Sequence, residues 1–237
     1  MFGVFWNRKK NNFHSKLQSL LGFSPKNIEL YRECFTHPSE NKHDKDGNPL
    51  SFERLEFLGD ALLDAMVSDY LFSRSKGKDE GYLSKMRAKI VSRDNLNLIG
   101  EELNLTEFLL EEVPKNKLST KIYGDLLEGL LGAIYLDRGY KKALKFTQTN
   151  VLAKIKDLDH LENQIVSYKS FLLEWAQKNK HTVNLDTSEI EALENQKIFT
   201  TEIFLNGNPM SSATGISKKL SQEEACKRAY LILNQKI

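Results

Sequence analysis

The sequence predicts an all-α domain followed by a small α+β domain with the order helix, three strands, helix. Three observations support this fold class. Apolar side chains recur at helical spacing through about the first 155 residues. Short runs rich in β-forming residues and bounded by turn residues predict strands within about the last 75 residues. A chain of 237 residues is also comfortable for two domains and too long for one small domain.

The first domain is predicted to be a succession of helices. Ser24, which precedes a proline, is predicted to cap the second helix, and Ser51 is predicted to cap the third. Residues 106–116 include a proline and predict a loop. The helices predicted from apolar spacing cover residues 13–21, 25–35, 52–74, 83–91, 126–135 and 140–154.

The second domain follows a change of character near residue 156. A helix is predicted at 167–178, and Ser217 is predicted to cap a final helix that reaches about Asn234. The strands between them are predicted at 182–185, 198–205 and 210–214. The predicted organisation is a basic tail at residues 1–12, the helical domain at 13–156, a linker at 157–163 and the α+β domain at 164–237.

Composition excludes several classes of protein and leaves nucleic-acid binding open. No apolar stretch approaches the roughly 20 residues that span a bilayer, so we expect no membrane partner. Cys34 and Cys226 lie too far apart in sequence for a metal motif, and this usage suits the reducing cytoplasm. The net charge is only +2, so any binding of RNA must depend on where the cations lie, because only cations facing phosphates release counterions.

Two apolar helices carry acidic residues at spacings that place them on one face. Glu56 and Asp60 are four residues apart on the first helix, and Asp125 and Glu128 are three apart on the second. If these helices pack together, four carboxylates converge, and like charges at low dielectric need compensation. The alternative is that these acids simply face solvent on amphipathic helices.

A hard divalent cation would supply that compensation. Carboxylate oxygens favour Mg²⁺ or Mn²⁺ over zinc, and no cluster of histidine and cysteine competes in this sequence. Such ions can activate a water molecule and stabilise the leaving oxygen of a phosphodiester. The pattern therefore predicts a metal site suited to phosphodiester hydrolysis.

The segment Glu53–Asp60, which reads ERLEFLGD, resembles the signature of the ribonuclease III family. Thr36–Ser39 upstream and Gly124–Ala133 downstream resemble the other landmarks of that family, in the right order. Residues 164–237 resemble a double-stranded RNA-binding domain. The resemblance implies a double-strand-specific endoribonuclease that leaves 5′ phosphates, 3′ hydroxyls and short 3′ overhangs and processes ribosomal and messenger RNA.

The same resemblance implies roles for individual residues. Glu128 would be the most critical metal ligand, and Asp60 would act closest to the hydrolytic step. The full ligand set implied for Mg²⁺, which Mn²⁺ can replace, is Glu56, Asp60, Asp125 and Glu128. No organic cofactor is implied.

The resemblance also implies a homodimer with two sites, each of which cuts one RNA strand. Glu53 and Glu80 match acidic positions that support the site near the subunit interface, and Phe57 matches an aromatic residue that inserts into the partner subunit. Simpler interpretations remain open: Phe57 could be an ordinary core residue, and Glu53 could pair with a nearby cation. His37 fits capping or packing better than it fits a catalytic base.

The RNA-binding residues implied for the second domain are Ser217, Lys218, Lys219 and Glu174. A helix N-terminus that carries two lysines suits phosphates, and such domains recognise the shape of A-form RNA. Leu173 stands where the family often has glutamine, and Gln222 stands at a position that is often basic. We therefore expect this domain to bind RNA weakly on its own.

Two other functions compete with the nuclease. A catalytically silent, ribosome-associated RNA-binding relative should have lost metal ligands, whereas all four acidic positions are present here. A helical interaction protein, with its acids as surface residues, predicts no RNA binding and no effect of divalent metal.

Overall fold

The computed structural model describes residues 13–111, 113–114, 118–155, 161, 167–191 and 197–234. The contacts divide the chain into two compact units, Met1–Glu162 and Asn163–Ile237. The predicted tail at residues 1–12 and most of the predicted linker at 157–163 lie outside the described residues. Among the described residues, no helix has the length and apolarity that crossing a bilayer requires.

The first unit is helical, as the sequence predicts. Its central pair, α3 and α6, makes the most extensive helix contact in the unit and contributes much of the core, including Leu55, Leu63, Leu126 and Leu130. Its helices are α1 (13–21), α2 (Ile28–Cys34), α3 (Glu53–Arg74), α4 (Glu80–Ile90), α5 (Arg93–Glu102), α6 (Ile122–Arg138) and α7 (Tyr140–Asn150).

Three local predictions for this unit are wrong. α2 begins at Ile28 with Asn27 as its cap, not at Ser24. The N-cap of α3 is Phe52, because Ser51 is buried and its hydroxyl donates to a carboxylate oxygen of Glu53. The sequence interpretation also omitted α5.

Glycines allow α3 and α6 to approach at backbone distance. A Cβ on Gly59 would lie 1.8 Å from the carbonyl oxygen of Glu128, and one on Gly132 would lie 2.4 Å from that of Leu55. Real Cβ atoms do not come this close to backbone, so these two positions need glycine. The two helices that carry the predicted site are therefore fixed against each other where the acids lie.

The second unit has the predicted α-β-β-β-α order. Helix α8 (Tyr168–Lys178) precedes an antiparallel sheet of β1 (Val183–Glu191), β2 (Lys197–Leu205) and β3 (Asn208–Gly215), and α9 (Lys218–Asn234) follows. Its core consists of Leu172, Ile203, Ala213, Ala225, Cys226 and Ala229.

Strand β1 is longer than predicted, because residues 186–191 continue the pairing with β2 instead of forming a loop. Ser217 precedes α9 as predicted, and its hydroxyl oxygen accepts a bond from the backbone N–H of Leu220 at 3.3 Å. At the start of α8, the Glu223 carboxylate from α9 accepts bonds from the Ser167 hydroxyl at 3.0 Å and from the Tyr168 N–H. One acid of α9 thus caps the other helix of this unit.

Candidate active site

The contact between α3 and α6 brings acidic side chains from both helices together. Carboxylate oxygens of Glu56, Asp125 and Glu128 can all lie within 4.8 Å of one another. Asp60, which is exposed, lies outside this group but lines the same cavity. The cavity has a volume of about 490 Å³. Three of the four predicted ligands are thus brought together, with the fourth on the wall beside them.

The pKa values of Glu56, Asp125 and Glu128 are raised at this site. Burial, followed by the charges of Asp60, Glu56 and Asp125, raises the pKa of Glu128 from 4.5 to about 8. Burial is also the largest cause that raises the pKa of Glu56 and of Asp125. The cluster therefore concentrates more negative charge than a half-buried site holds readily.

The donor set fits a hard divalent cation. The three grouped ligands are carboxylates, and no described residue that lines the cavity is a histidine or a cysteine. Mg²⁺ and Mn²⁺ take such oxygen ligands and retain several waters, and the cavity has room for waters beside the carboxylates. Glu56, Asp125 and Glu128 would hold the ion.

A cationic side chain on the cavity wall was missed by the sequence interpretation. Arg93, the first residue of α5, lines the cavity, and its charge lowers the pKa of Glu56, Asp125 and Glu128. The available signal was Ser92, a good N-cap that precedes apolar residues at helical spacing.

The predicted supporting residues occupy two separate places. Phe57 is 81% exposed, so it is not a core residue of this chain. Phe57 and Glu53 line the cavity that holds the carboxylates. Glu80 lines a different hollow and accepts a bond from the Ser84 hydroxyl at 2.7 Å. Glu80 is thus not among the described residues that line the carboxylate cavity.

His37 has a structural role that its position in the chain explains. It caps the short 3-10 turn Pro38–Glu40, and its Nδ1 accepts a bond from the Ser39 N–H at 3.1 Å. Its ring also packs edge-on against Phe52, with a centroid separation of 5.9 Å. The capping interpretation is confirmed.

In the second unit, Lys218 and Lys219 are exposed in the first turn of α9, directly after the capping residue Ser217. Glu174 is exposed on α8. A further cation, Lys169, donates to the side-chain oxygen of Gln222 at 2.6 Å. Lys169 from α8 thus places a positive charge beside Gln222, which stands at a position that is often basic in such domains.

Comparison with known proteins assigns both units. Residues 27–155 match the Ribonuclease-III-like family model, and residues 168–233 match the model of the double-stranded RNA binding motif. A Ribonuclease 3 of Zunongwangia profunda is 42% identical over 97% of this chain and 94% of its own length. A Ribonuclease 3 of Flavobacterium psychrophilum is 44% identical over 95% of this chain and 92% of its own length.

A solved structure supports the same assignment. The nuclease domain of ribonuclease III from Campylobacter jejuni is 36% identical to the matched part, with a TM-score of 0.51. The match covers 58% of this chain and 95% of that domain, which has a region involved in dimer formation.

Proposed function

Because the chain belongs to the ribonuclease III family, we propose that it is a Mg²⁺-dependent endoribonuclease that hydrolyses phosphodiester bonds in double-stranded RNA. One observation carries the proposal: Glu56, Asp125 and Glu128 converge in an open cavity. The double-stranded RNA binding motif on the same chain supports the choice of substrate, and the names of its relatives support the activity.

Each acidic residue has a part in the proposed mechanism. Glu56, Asp125 and Glu128 would hold the cation through their carboxylate oxygens. When bound, the ion would supply positive charge that stabilises negative charge on the reacting phosphate and lowers the pKa of a nearby water. Asp60, on the exposed wall, accepts a hydrogen bond from the attacking water and orients it.

The bond changes set the products. The water oxygen forms a bond to phosphorus while the bond from phosphorus to the 3′ oxygen breaks. The attacking water releases one proton to solvent and the 3′ oxygen takes one up from solvent, so the products carry a 5′ phosphate and a 3′ hydroxyl. Two such cuts, offset across the duplex, leave short 3′ overhangs.

We further propose that the protein works as a homodimer and that Phe57 inserts into the partner subunit. Phe57 is 81% exposed beside the site, and burial against a partner would remove this apolar surface from water. The nuclease domain of ribonuclease III from Campylobacter jejuni, which has a region involved in dimer formation, supports the homodimer. Glu53 and Glu80 would support the site near that interface.

The remaining assignments are proposals of the same kind. Ser217, Lys218, Lys219 and Glu174 would contact RNA. Manganese would replace magnesium, no organic cofactor would be needed, and the cytoplasm would be the compartment. The domain limits would be 13–156 and 164–237, with a linker at 157–163. Precursors of ribosomal and messenger RNA would be the natural substrates.

The decisive experiment is cleavage of a long RNA duplex by the purified full-length protein. We expect cutting in Mg²⁺ and none in EDTA. Glu128→Gln should abolish cutting but retain duplex binding, because it removes one ligand charge and nearly preserves shape. Glu101→Gln makes the same change at an exposed position outside the cavity and should cut normally. Normal cutting by Glu128→Gln, or cutting in EDTA, would contradict the metal assignment.

A further inference from the structure

The first turn of α5 forms one wall of the carboxylate cavity and is held there rigidly. The side chain of Asn97 bridges α5 to the start of α6: its Nδ2 donates to the Thr120 carbonyl oxygen at 2.9 Å, and its Oδ1 accepts from the Gly124 N–H at 2.9 Å. Gly124 immediately precedes the ligand Asp125. This amide thus fixes α5 against the residue that leads into the site.

A second contact sets the same two helices at backbone distance. A Cβ on Gly100 would lie 2.3 Å from the carbonyl oxygen of Tyr123. Together with the Asn97 bridge, this close contact leaves α5 little freedom to slide or rotate along α6. The position of Arg93 at the mouth of the cavity is therefore built into the packing and does not depend on a loop.

Neither helix stability nor ion pairing accounts for an arginine at this position. Arg93 is exposed and occupies the first position of α5, where the helix dipole disfavours a cation. Within the part of the chain that the structure describes, no carboxylate lies within 4.0 Å of its guanidinium nitrogens. Its charge acts on the carboxylates from a distance, and its donors are not taken up by them.

A role in metal binding does not account for Arg93 either. A fixed positive charge beside the cavity repels an incoming divalent cation, so Arg93 weakens metal binding instead of promoting it. The ligand that gains from a guanidinium at this place is an anion. The phosphate group of an RNA strand has that charge, and its two non-bridging oxygens match the paired donors of arginine.

We propose that Arg93 binds a backbone phosphate of the RNA strand at the carboxylate cavity and so positions that strand for hydrolysis. The proposal rests on the proposed function, since it names a residue that binds the substrate of the same site. Arg93 adds an attractive contact to a cavity where every other charged residue of the described lining is acidic. The contact also anchors the strand within the nuclease unit, independently of the lysines of the second unit.

The test is equilibrium binding of a fluorescent RNA duplex to the full-length protein in EDTA, measured by anisotropy over a range of salt concentrations. Arg93→Ala should weaken binding roughly tenfold or more. It should also reduce the magnitude of the slope of log association constant against log salt concentration by about one for each bound protein chain. Arg93→Lys should keep the slope but lose part of the affinity, because it retains the charge without the paired donors.

A matched control separates a specific contact from net charge. Lys141→Ala removes one positive charge from α7, at an exposed residue outside the cavity, and should leave the slope unchanged. If Arg93→Ala leaves the slope unchanged, or if Lys141→Ala lowers it equally, the proposal is overturned. In either case duplex cleavage by the wild-type protein in Mg²⁺ would leave the proposed function standing, whereas a wild-type protein that neither binds nor cuts the duplex would refute both.

Discussion

Gly59→Ala tests whether the close approach of α3 and α6 sets both the stability and the site. The added Cβ would lie 1.8 Å from the Glu128 carbonyl oxygen and 2.5 Å from its carbon. An ordinary contact is at least 3.4 Å, so the helices must separate locally by about 1.6 Å, the difference between 3.4 and 1.8 Å. The obstacle is backbone, which cannot rotate away as a side chain can.

The expected cost follows from two opposing contributions. Overpacking costs about 1–3 kcal/mol and occasionally more, and a backbone clash belongs at the upper end. Alanine in place of glycine within a helix returns about 1 kcal/mol. We therefore expect a net loss of about 2 kcal/mol or more in the free energy of unfolding. Glu56 and Glu128 would also move apart, so Mg²⁺ affinity should fall.

Urea denaturation followed by the helical circular dichroism signal measures the loss, and calorimetric Mg²⁺ titration measures the affinity. Gly81→Ala is the matched control, because it makes the same change within α4, where the nearest atom to the new Cβ is a side-chain oxygen of Asp79 at 3.6 Å. That variant should be stabilised by up to about 1 kcal/mol. A Gly59→Ala protein with the wild-type urea midpoint and Mg²⁺ affinity would refute the reasoning.

Three other predictions follow from the site and the surfaces. In the metal-free protein, the pKa of Glu128 is raised from 4.5 to about 8, so the folded state binds that proton more tightly than the unfolded state does. The associated stability is present below about pH 4.5 and is lost as the pH rises through about 8. The urea midpoint between pH 5 and 8.5 should therefore fall less steeply with pH for Glu128→Gln than for wild type. An equal pH dependence of the midpoint in both proteins would contradict this. Lys218→Ala combined with Lys219→Ala should lower the salt slope of duplex binding by roughly one to two, and an unchanged slope would remove both lysines from the interface. Phe57→Ala should shift sedimentation towards the monomer, and an undiminished dimer would show that this side chain is not needed for association.

The sequence was sufficient to predict which helices carry the acids, and the reason is local. Spacings of three and four residues place Glu56 with Asp60, and Asp125 with Glu128, whatever the surrounding fold. That the two pairs meet depends on glycine contacts between helices some 70 residues apart in sequence. The resemblance to a family supplied this step, because spacing alone left the surface alternative open.

The features that the sequence did not predict also have physical explanations. α5 has a short apolar face next to a polar start, so its helical pattern was weaker than the loop signals around it. Arg93 could not be placed from sequence, because its closeness to Asp125 arises from the bridge that Asn97 makes to α6. Ser51 has the right residue type for a cap, but burial and its bond to Glu53 hold it one residue before the cap position, which Phe52 occupies.

The geometry of α3 and α6 places a stabilising contact and a destabilising one at the same point. Gly59 allows α3 to approach the backbone of Glu128 closely, and carboxylate oxygens of Glu128 and Glu56 lie within 4.8 Å of each other at this contact. Separating the helices would relieve the repulsion, but it would open a gap in the core between them. The fold therefore holds the carboxylates together in the absence of metal, and a divalent cation that binds only this arrangement stabilises the folded state further.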